Sequence, residues 1–175
     1  MVATSYPVVC ATIARSDGQM YSIATVHLMV TPDGKEIPAQ TASVKKLLKF
    51  LDTKEPHILC GDFNIPRGYN TNYHLFTDKY IDTIPHLYTS SLDRTLHRDG
   101  NNPELHSPIF DIYMVDYIFS QPPYSVSDVR LEFGVSDHAA VLAQISKQWR
   151  PAAEMRVGLS CFNLKKSLRI SSHYT

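Results

Sequence analysis

The apolar periodicity of this chain changes from strand to helix and back to strand before residue 62, and that order constrains the fold most. Residues 8–13 and 20–28 are apolar and β-branched, and the turn Ser16-Asp17-Gly18 between them predicts a hairpin. An amphipathic helix is predicted next, because apolar residues recur at i, i+3, i+4 and i+7: Val44, Leu47, Leu48 and Leu51. Residues 57–60 then predict a buried strand.

The remaining elements extend this pattern into a mixed domain. Further strands are predicted at residues 113–119, 126–133 and 139–145, and a short helix near 72–76 interrupts a long polar stretch from 65 to 108. Strand, helix and strand followed by more strands predict an α/β (α+β) layered fold. With 175 residues, of which 43% are hydrophobic, the chain fits one globular domain.

Charge divides the chain in two. Residues 1–146 carry 16 acidic and 11 basic side chains, whereas residues 147–175 carry six basic and one acidic. We therefore predict a domain over 1–146 and a basic tail over 147–175, which folds back on the acidic body, contacts an anionic partner or is disordered. The net charge of zero argues against a global field that attracts nucleic acid, although a local basic patch would suffice.

Cysteine usage and the N-terminus predict a cytoplasmic protein. Cys10, Cys60 and Cys161 form neither a disulfide framework nor a CxxC metal pattern, so reduced thiols are the simplest interpretation. The first residues lack the pattern of a signal peptide, and no apolar run reaches the ~20 residues that span a bilayer.

Chemistry-bearing residues stand at the ends of the apolar runs. The strand at 57–60 ends in Gly61-Asp62-Phe63-Asn64, and in extended backbone Asp62 and Asn64 point the same way. The carboxylate can take a proton from water or hold a divalent cation, and the carboxamide can donate to a phosphoryl oxygen. The alternative is an ordinary turn, in which Asp and Asn are common.

Three further groups of polar residues lie in or beside predicted apolar strands. Asp116 lies inside an apolar strand, where it needs a partner such as a histidine or a loop backbone group. Asp137 and His138 precede the strand at 139–145, and His138 can serve as acid or base, unless this segment is a solvated turn. His27 ends the second strand, where a lone histidine is more often structural than catalytic.

The order of these motifs resembles the endonuclease/exonuclease/phosphatase superfamily, which includes deoxyribonuclease, apurinic endonuclease, inositol phosphatase and sphingomyelinase members. The resemblance runs from about residue 8 to 145 and uses four motifs in the order of the family. It implies a four-layered α/β sandwich, in which two packed β-sheets are flanked by helices. It also implies Mg²⁺ or Mn²⁺ and a hydrolase, such as a nuclease or other phosphodiesterase, that cleaves phosphodiesters or phosphomonoesters.

The resemblance also implies roles for individual residues. Asp62 would align or deprotonate the attacking water, Asn64 would stabilise the phosphoryl group, and His138 would act as acid or base. Asp116 would orient His138, His27 would touch the phosphate, and the metal ligands would be Asp137 and Asp62.

One part of the family pattern has no counterpart in this chain. Family domains begin with a strand that carries an Asn, then a helix and a strand with a metal-binding Glu, so the chain resembles an N-terminally truncated domain lacking the first strands. We expect weak activity or none from these 175 residues alone, with the missing segment supplied in trans as one route to a complete site. A non-catalytic scaffold that has lost the metal is an alternative.

The histidine-rich stretch and its neighbours leave two questions open. A zinc site is conceivable in the loop that contains His74, His86, His97 and His106, although its spacing is unlike that of known ligand patterns. Substrate contacts are predicted for Arg67, Arg94, Arg98 and Tyr69, which could bind phosphates or stack on bases. The alternative is a solvated loop, and nucleic acid, inositol phosphate and phospholipid headgroups all remain candidate substrates.

Overall fold

The computed structural model describes residues 7–98, 100 and 111–148. Its elements are, in chain order, β1 (Val8–Ala14), β2 (Met20–His27), α1 (Pro38–Leu51), β3 (Ile58–Asp62), α2 (Asn72–Thr77), β4 (Ile81–Asp82), β5 (Asp116–Ser120), β6 (Tyr124–Glu132) and β7 (Ala140–Lys147). In these described ranges no helix has the length and apolar character needed to cross a membrane.

Five strands form one sheet in the order β1-β2-β3-β5-β4. β1 and β2 are the predicted antiparallel hairpin, and α1 connects β2 to its parallel neighbour β3. β5 runs antiparallel to β3, with Asp62 opposite Asp116. β6 and β7 form a separate antiparallel ribbon.

The helices and the ribbon lie on opposite faces of this sheet. On one face Phe76 of α2 stacks on Phe119 of β5 at 5.6 Å, and Phe63 meets both rings edge-on. Tyr21 of β2 instead contacts Tyr124 of β6, with ring centroids 6.1 Å apart. Because neighbouring residues along a strand alternate between faces, Ile118 and Asp116 face the ribbon while Phe119 faces the helices.

Helix α1 forms where the periodicity predicts it. Its first residue is Pro38, which suits the first helical turn because a proline there loses no hydrogen bond. Val44, Leu48 and Leu51 are buried against the sheet, while Lys45 and its neighbouring lysines lie on the exposed side.

The predicted mixed α/β fold with two packed sheets is confirmed. The described residues supply a helix layer, the five-stranded sheet and the ribbon; a second helix layer beyond the ribbon is not among them. Strand β7 continues to Lys147, one residue beyond the predicted domain end. The rest of the predicted basic tail, from residue 149, lies outside the described residues, as does the predicted loop histidine His106.

Candidate active site

Three neighbouring strands place one polar residue each at the same edge of the sheet. His27 ends β2, Asp62 ends β3 and Asp116 begins β5. His27 pairs in register with Asp62, and Asp62 with Asp116. Since residues paired across strands project to the same face, all three side chains lie on the ribbon side.

His138 reaches this row from the segment that precedes β7. The backbone of Leu92 forms an isolated bridge with His138, and the Ala139 N–H donates to the Ser91 carbonyl at 2.8 Å. These contacts bring His138 Nδ1 to 2.7 Å from Asp116 Oδ2. Asp116 therefore has the histidine partner that its place in an apolar strand predicts.

Ser91 is a site residue that the sequence does not reveal. Its hydroxyl is fully buried, donates to Asp116 Oδ2 at 2.6 Å and accepts the backbone N–H groups of Val115 and Asp116 at 3.2 and 3.3 Å. Ser91 thus fixes the carboxylate that holds His138. A serine in a polar loop has no pattern that distinguishes it, so no sequence signal would have found it.

Asp62 and Asn64 come together by a turn, which corrects the expectation of an extended backbone. Asn64 has a φ of +51°, and its backbone N–H donates to Asp62 Oδ1 at 2.8 Å. Its side-chain amide donates to Asp62 Oδ2 at 3.3 Å and to the Leu28 carbonyl at 2.9 Å. Both N–H groups of the carboxamide are thus bonded within the chain, where Asn64 orients Asp62, and its contact with a phosphoryl oxygen stays a prediction.

Asp62, Asp116 and His138 converge closely enough to share a ligand. One ligand atom from each residue lies within 4.8 Å of the other two. His27 Nε2 lies 3.4 Å from Asp62 Oδ2, and the His27 side chain is 76% exposed. The site thus has a partly buried floor of two carboxylates and one imidazole, with a second imidazole at its open side.

The pKa values of Asp62 and His138 are both raised within this group. Burial, and then the negative charge of Asp116, raise the pKa of Asp62 to about 6, although the Asn64 N–H and the two histidines oppose this. The hydrogen bond to Asp116 raises the pKa of His138 above its usual value. Asp62 and His138 thus each hold a proton to a higher pH than a free side chain of the same type.

Asp137 does not join this group. Its side chain is exposed, and its carboxylate is not among the converging ligand atoms. Asp116 therefore occupies the place beside Asp62, and the role of Asp137 as a metal ligand stays a prediction.

Arg67 is also placed differently from the prediction of a substrate contact. Its side chain is only 11% exposed, with Nε 3.2 Å from Asp82 Oδ2. One terminal nitrogen donates to the Ile84 carbonyl at 3.1 Å, and the guanidinium lies over the Tyr117 ring. These contacts hold the guanidinium within the domain, and its contact with substrate stays a prediction.

The other predicted substrate residues lie at the surface. Arg94 forms an ion pair with Asp111 beside a groove that also contains Leu87 and Phe133. Arg98 is exposed and Tyr69 is half-buried. Their contact with substrate stays a prediction.

Tyr113 is a further neighbour of Asp62 that the sequence does not single out. Burial, and then the charge of Asp62, raise the pKa of its phenol.

The histidine-rich loop does not form a zinc site in the part of the chain that the structure describes. There the one group of three metal-ligating side chains is Asp62, Asp116 and His138. His86 Nδ1 lies 3.4 Å from an Arg67 nitrogen, and His97 packs near His138 with ring centroids 6.4 Å apart. His74 is exposed on α2, so these histidines do not converge on one ion.

Comparison with solved structures identifies the fold. The endonuclease/exonuclease/phosphatase of Beutenbergia cavernae superposes with a TM-score of 0.57 at 18% identity, covering 81% of this chain and 39% of that one. The corresponding protein of Bacteroides vulgatus gives 0.54 at 18%, covering 81% and 55%. The human Nocturnin catalytic domain, with a bound sulfate anion, gives 0.51 at 21%, covering 83% and 54%.

This chain has the endonuclease/exonuclease/phosphatase fold. It spans about two fifths to just over half of the length of these solved structures. Its sequence matches no protein-family model and no curated protein. The fold that the motif order implies is therefore confirmed from the structure.

Proposed function

We propose that this domain is a metal-dependent phosphoesterase of the endonuclease/exonuclease/phosphatase superfamily. The observation that supports this most is the convergence of Asp62, Asp116 and His138 within 4.8 Å at the edge of a sheet with that fold. Two carboxylates and an imidazole can bind a divalent cation and transfer protons, which are the two needs of phosphate-ester hydrolysis.

The donor set fits a hard divalent cation. Asp62 and Asp116 supply carboxylate oxygens, which Mg²⁺ and Mn²⁺ prefer, and one ligand atom from each lies within 4.8 Å of the other. Bound between these carboxylates, a cation would neutralise negative charge on the phosphoryl oxygens.

The residues of the chain then divide the proton chemistry. Asp62, held by Asn64, is ionised at neutral pH and can accept a proton from the attacking water. Asp116 takes the Nδ1 side of His138, which leaves Nε2 to transfer a proton to or from the phosphoryl group. His27 stands exposed beside Asp62, where it can contact a phosphate oxygen.

Cation binding gives the first test. We expect Mn²⁺ to raise the melting temperature of the unmodified chain, because a ligand that binds only the folded state stabilises it, by about 2.7 kcal/mol at one hundred times Kd. Asp116→Asn should weaken this Mn²⁺-dependent shift at least tenfold in apparent Kd. Asp128→Asn, an exposed aspartate of β6, is the matched control.

Hydrolysis gives the second test. Bis(p-nitrophenyl) phosphate and p-nitrophenyl phosphate should be cleaved slowly, but faster than in a Mn²⁺ solution without the protein. EDTA should stop the reaction. His138→Gln should reduce the rate about 100-fold, whereas His74→Gln on the exposed side of α2 should leave it unchanged. Absence of both Mn²⁺ binding and hydrolysis would reject the proposal in favour of a non-catalytic domain.

A further inference from the structure

The side chain of Gln40, on the first turn of α1, makes every hydrogen bond that a carboxamide can make. It is 1% exposed. Its Nε2 donates to the Met29 carbonyl at 3.1 Å and to the Asn64 carbonyl at 3.3 Å. Its Oε1 accepts the side-chain amides of Asn70 and Asn72, both at 3.0 Å. Two donors and two lone pairs are thereby all used.

These bonds join the two chain segments that leave the candidate active site. Met29 follows His27 by two residues, and Asn64 follows Asp62 by two. The Leu28 N–H also donates to the Asp62 carbonyl at 2.9 Å. Gln40 therefore bridges the ends of β2 and β3 immediately beyond the residues that the proposed reaction uses.

Asn64 carries the effect of Gln40 to Asp62. With its carbonyl held by Gln40, Asn64 directs both its backbone N–H and its side-chain amide to the Asp62 carboxylate, at 2.8 and 3.3 Å. The left-handed backbone of Asn64, with φ of +51°, is a conformation that non-glycine residues rarely adopt. A turn of this kind persists only where surrounding contacts fix it, and Gln40 supplies one of them.

We propose that Gln40 is a positioning residue that sets the Asp62–Asn64 turn and the end of β2 relative to each other, and so sets the geometry of the cation and phosphate site. The proposal rests on the proposed function for its consequence, although the positioning itself concerns only this chain. Groups that orient metal ligands from behind typically change metal affinity or activity 10- to 100-fold when they are lost.

Two substitutions separate positioning from packing. Gln40→Met keeps the length of the side chain and removes all four hydrogen bonds, whereas Gln40→Asn keeps the amide but is one methylene too short to reach both loops. The control is Val44→Ala, because Val44 is fully buried on the same helix and its side chain has no polar atom that could form a hydrogen bond with either loop. Truncation of a buried aliphatic side chain lowers stability without altering hydrogen bonds at the site.

Two quantities are measured in every variant, and the Gln40 variants are compared with Val44→Ala, which controls for the loss of melting temperature. The first is the Kd for Mn²⁺, which we expect to rise at least tenfold in both Gln40 variants and less than twofold in Val44→Ala. The second is hydrogen exchange of the Asn64 backbone amide by NMR, which should become at least tenfold faster in the Gln40 variants than in Val44→Ala.

The outcomes distinguish this proposal from the proposed function. If the unmodified chain neither binds Mn²⁺ nor hydrolyses the phosphate esters, the proposed function fails, and Asn64 exchange alone decides the role of Gln40. Faster exchange in the Gln40 variants than in Val44→Ala then supports positioning, and equal exchange overturns it. If Mn²⁺ binds with the same Kd in all variants and Asn64 exchange is equal, Gln40 contributes only to packing and the proposal is wrong.

Discussion

Asp62 is the residue at which stability and the proposed function oppose each other most directly. Burial and the nearby charge of Asp116 raise its pKa from 3.8 to about 6. Ionised Asp62 therefore destabilises the folded state at neutral pH, and a protein tolerates this at sites where the charge is used.

Replacing this carboxylate should stabilise the domain. Between about pH 4 and 6 the folded state binds more protons at Asp62 than the unfolded state does, so stability falls as pH rises through this window and stays lower above it. Asp62→Asn should raise the free energy of unfolding at pH 7.5 by about 1–3 kcal/mol. Urea unfolding at pH 4 and 7.5 measures this, and a variant less stable than the parent at pH 7.5 would contradict it.

Asp116 raises the pKa of the His138 imidazole. The hydrogen bond that His138 Nδ1 donates to Asp116 is the largest cause that raises the pKa of His138, while partial burial lowers it. Asp116→Asn should therefore lower the pKa of His138, and its imidazole should lose its proton at a lower pH. NMR titration of the His138 ring protons tests this, with Asp128→Asn as the control that should leave the titration unchanged.

At the scale of elements, the parallel pair β2–β3 determines where the site forms. Gly61 has a φ of +130°, and a Cβ at this position would collide with the Val26 carbonyl of β2. Glycine thus allows the close approach that carries Asp62 beside His27. The β3–β5 pairing adds Asp116 to the same row.

Arg67 links the loop after β3 to strand β4, and we expect its loss to affect stability rather than binding. Arg67→Met removes the cation that pairs with Asp82, whose side chain is only 9% exposed and keeps hydrogen bonds from Tyr73 and Ile84. Breaking a buried pair in this way typically costs about 3–5 kcal/mol, and Arg67→Met with Asp82→Asn should recover part of it. Urea unfolding checks the stability, and the Kd for Mn²⁺ should stay within twofold of that of the parent. A stable variant with only a higher KM would instead indicate a substrate contact.

At the scale of the whole molecule, β1 is an edge strand of the five-stranded sheet, and among residues 7–98, 100 and 111–148 no further strand pairs with its outer side. Its seven residues carry no charge, and Val9 and Ile13 are 59% and 50% exposed. Edge strands in native proteins are usually blunted by charges, bulges or proline, and without these an edge favours intermolecular pairing.

Charging this edge should reduce self-association. Val9→Lys with Ile13→Lys places two cations on the face of β1 that points to the ribbon side. We expect light scattering to show less concentration-dependent association than the parent, with the Mn²⁺ Kd unchanged. Unchanged association would show that β1 is not the surface through which copies meet.

The local sequence pattern was sufficient to predict most of the strands and helices that form the framework of the fold. The β-branched runs predict β1 and β2, the 3.6-residue period predicts α1, and the apolar run before Gly61 predicts β3, each within a few residues of its observed bounds. Polar residues at the ends of apolar strands also mark His27, Asp62 and His138, and a carboxylate inside a predicted strand marks Asp116, because a charge in or beside a buried run needs a specific partner.

Tertiary structure alone decided how those residues are supported. Ser91 and Gln40 lie 25 and 24 residues from Asp116 and Asn64, the site residues that they contact, and neither has a local pattern that reveals its partner. The burial of Arg67 and the exposure of Asp137 likewise depend on which distant groups surround them. Sequence periodicity determines which face a residue occupies, whereas a hydrogen bond between loops is determined only when packing has brought the loops together.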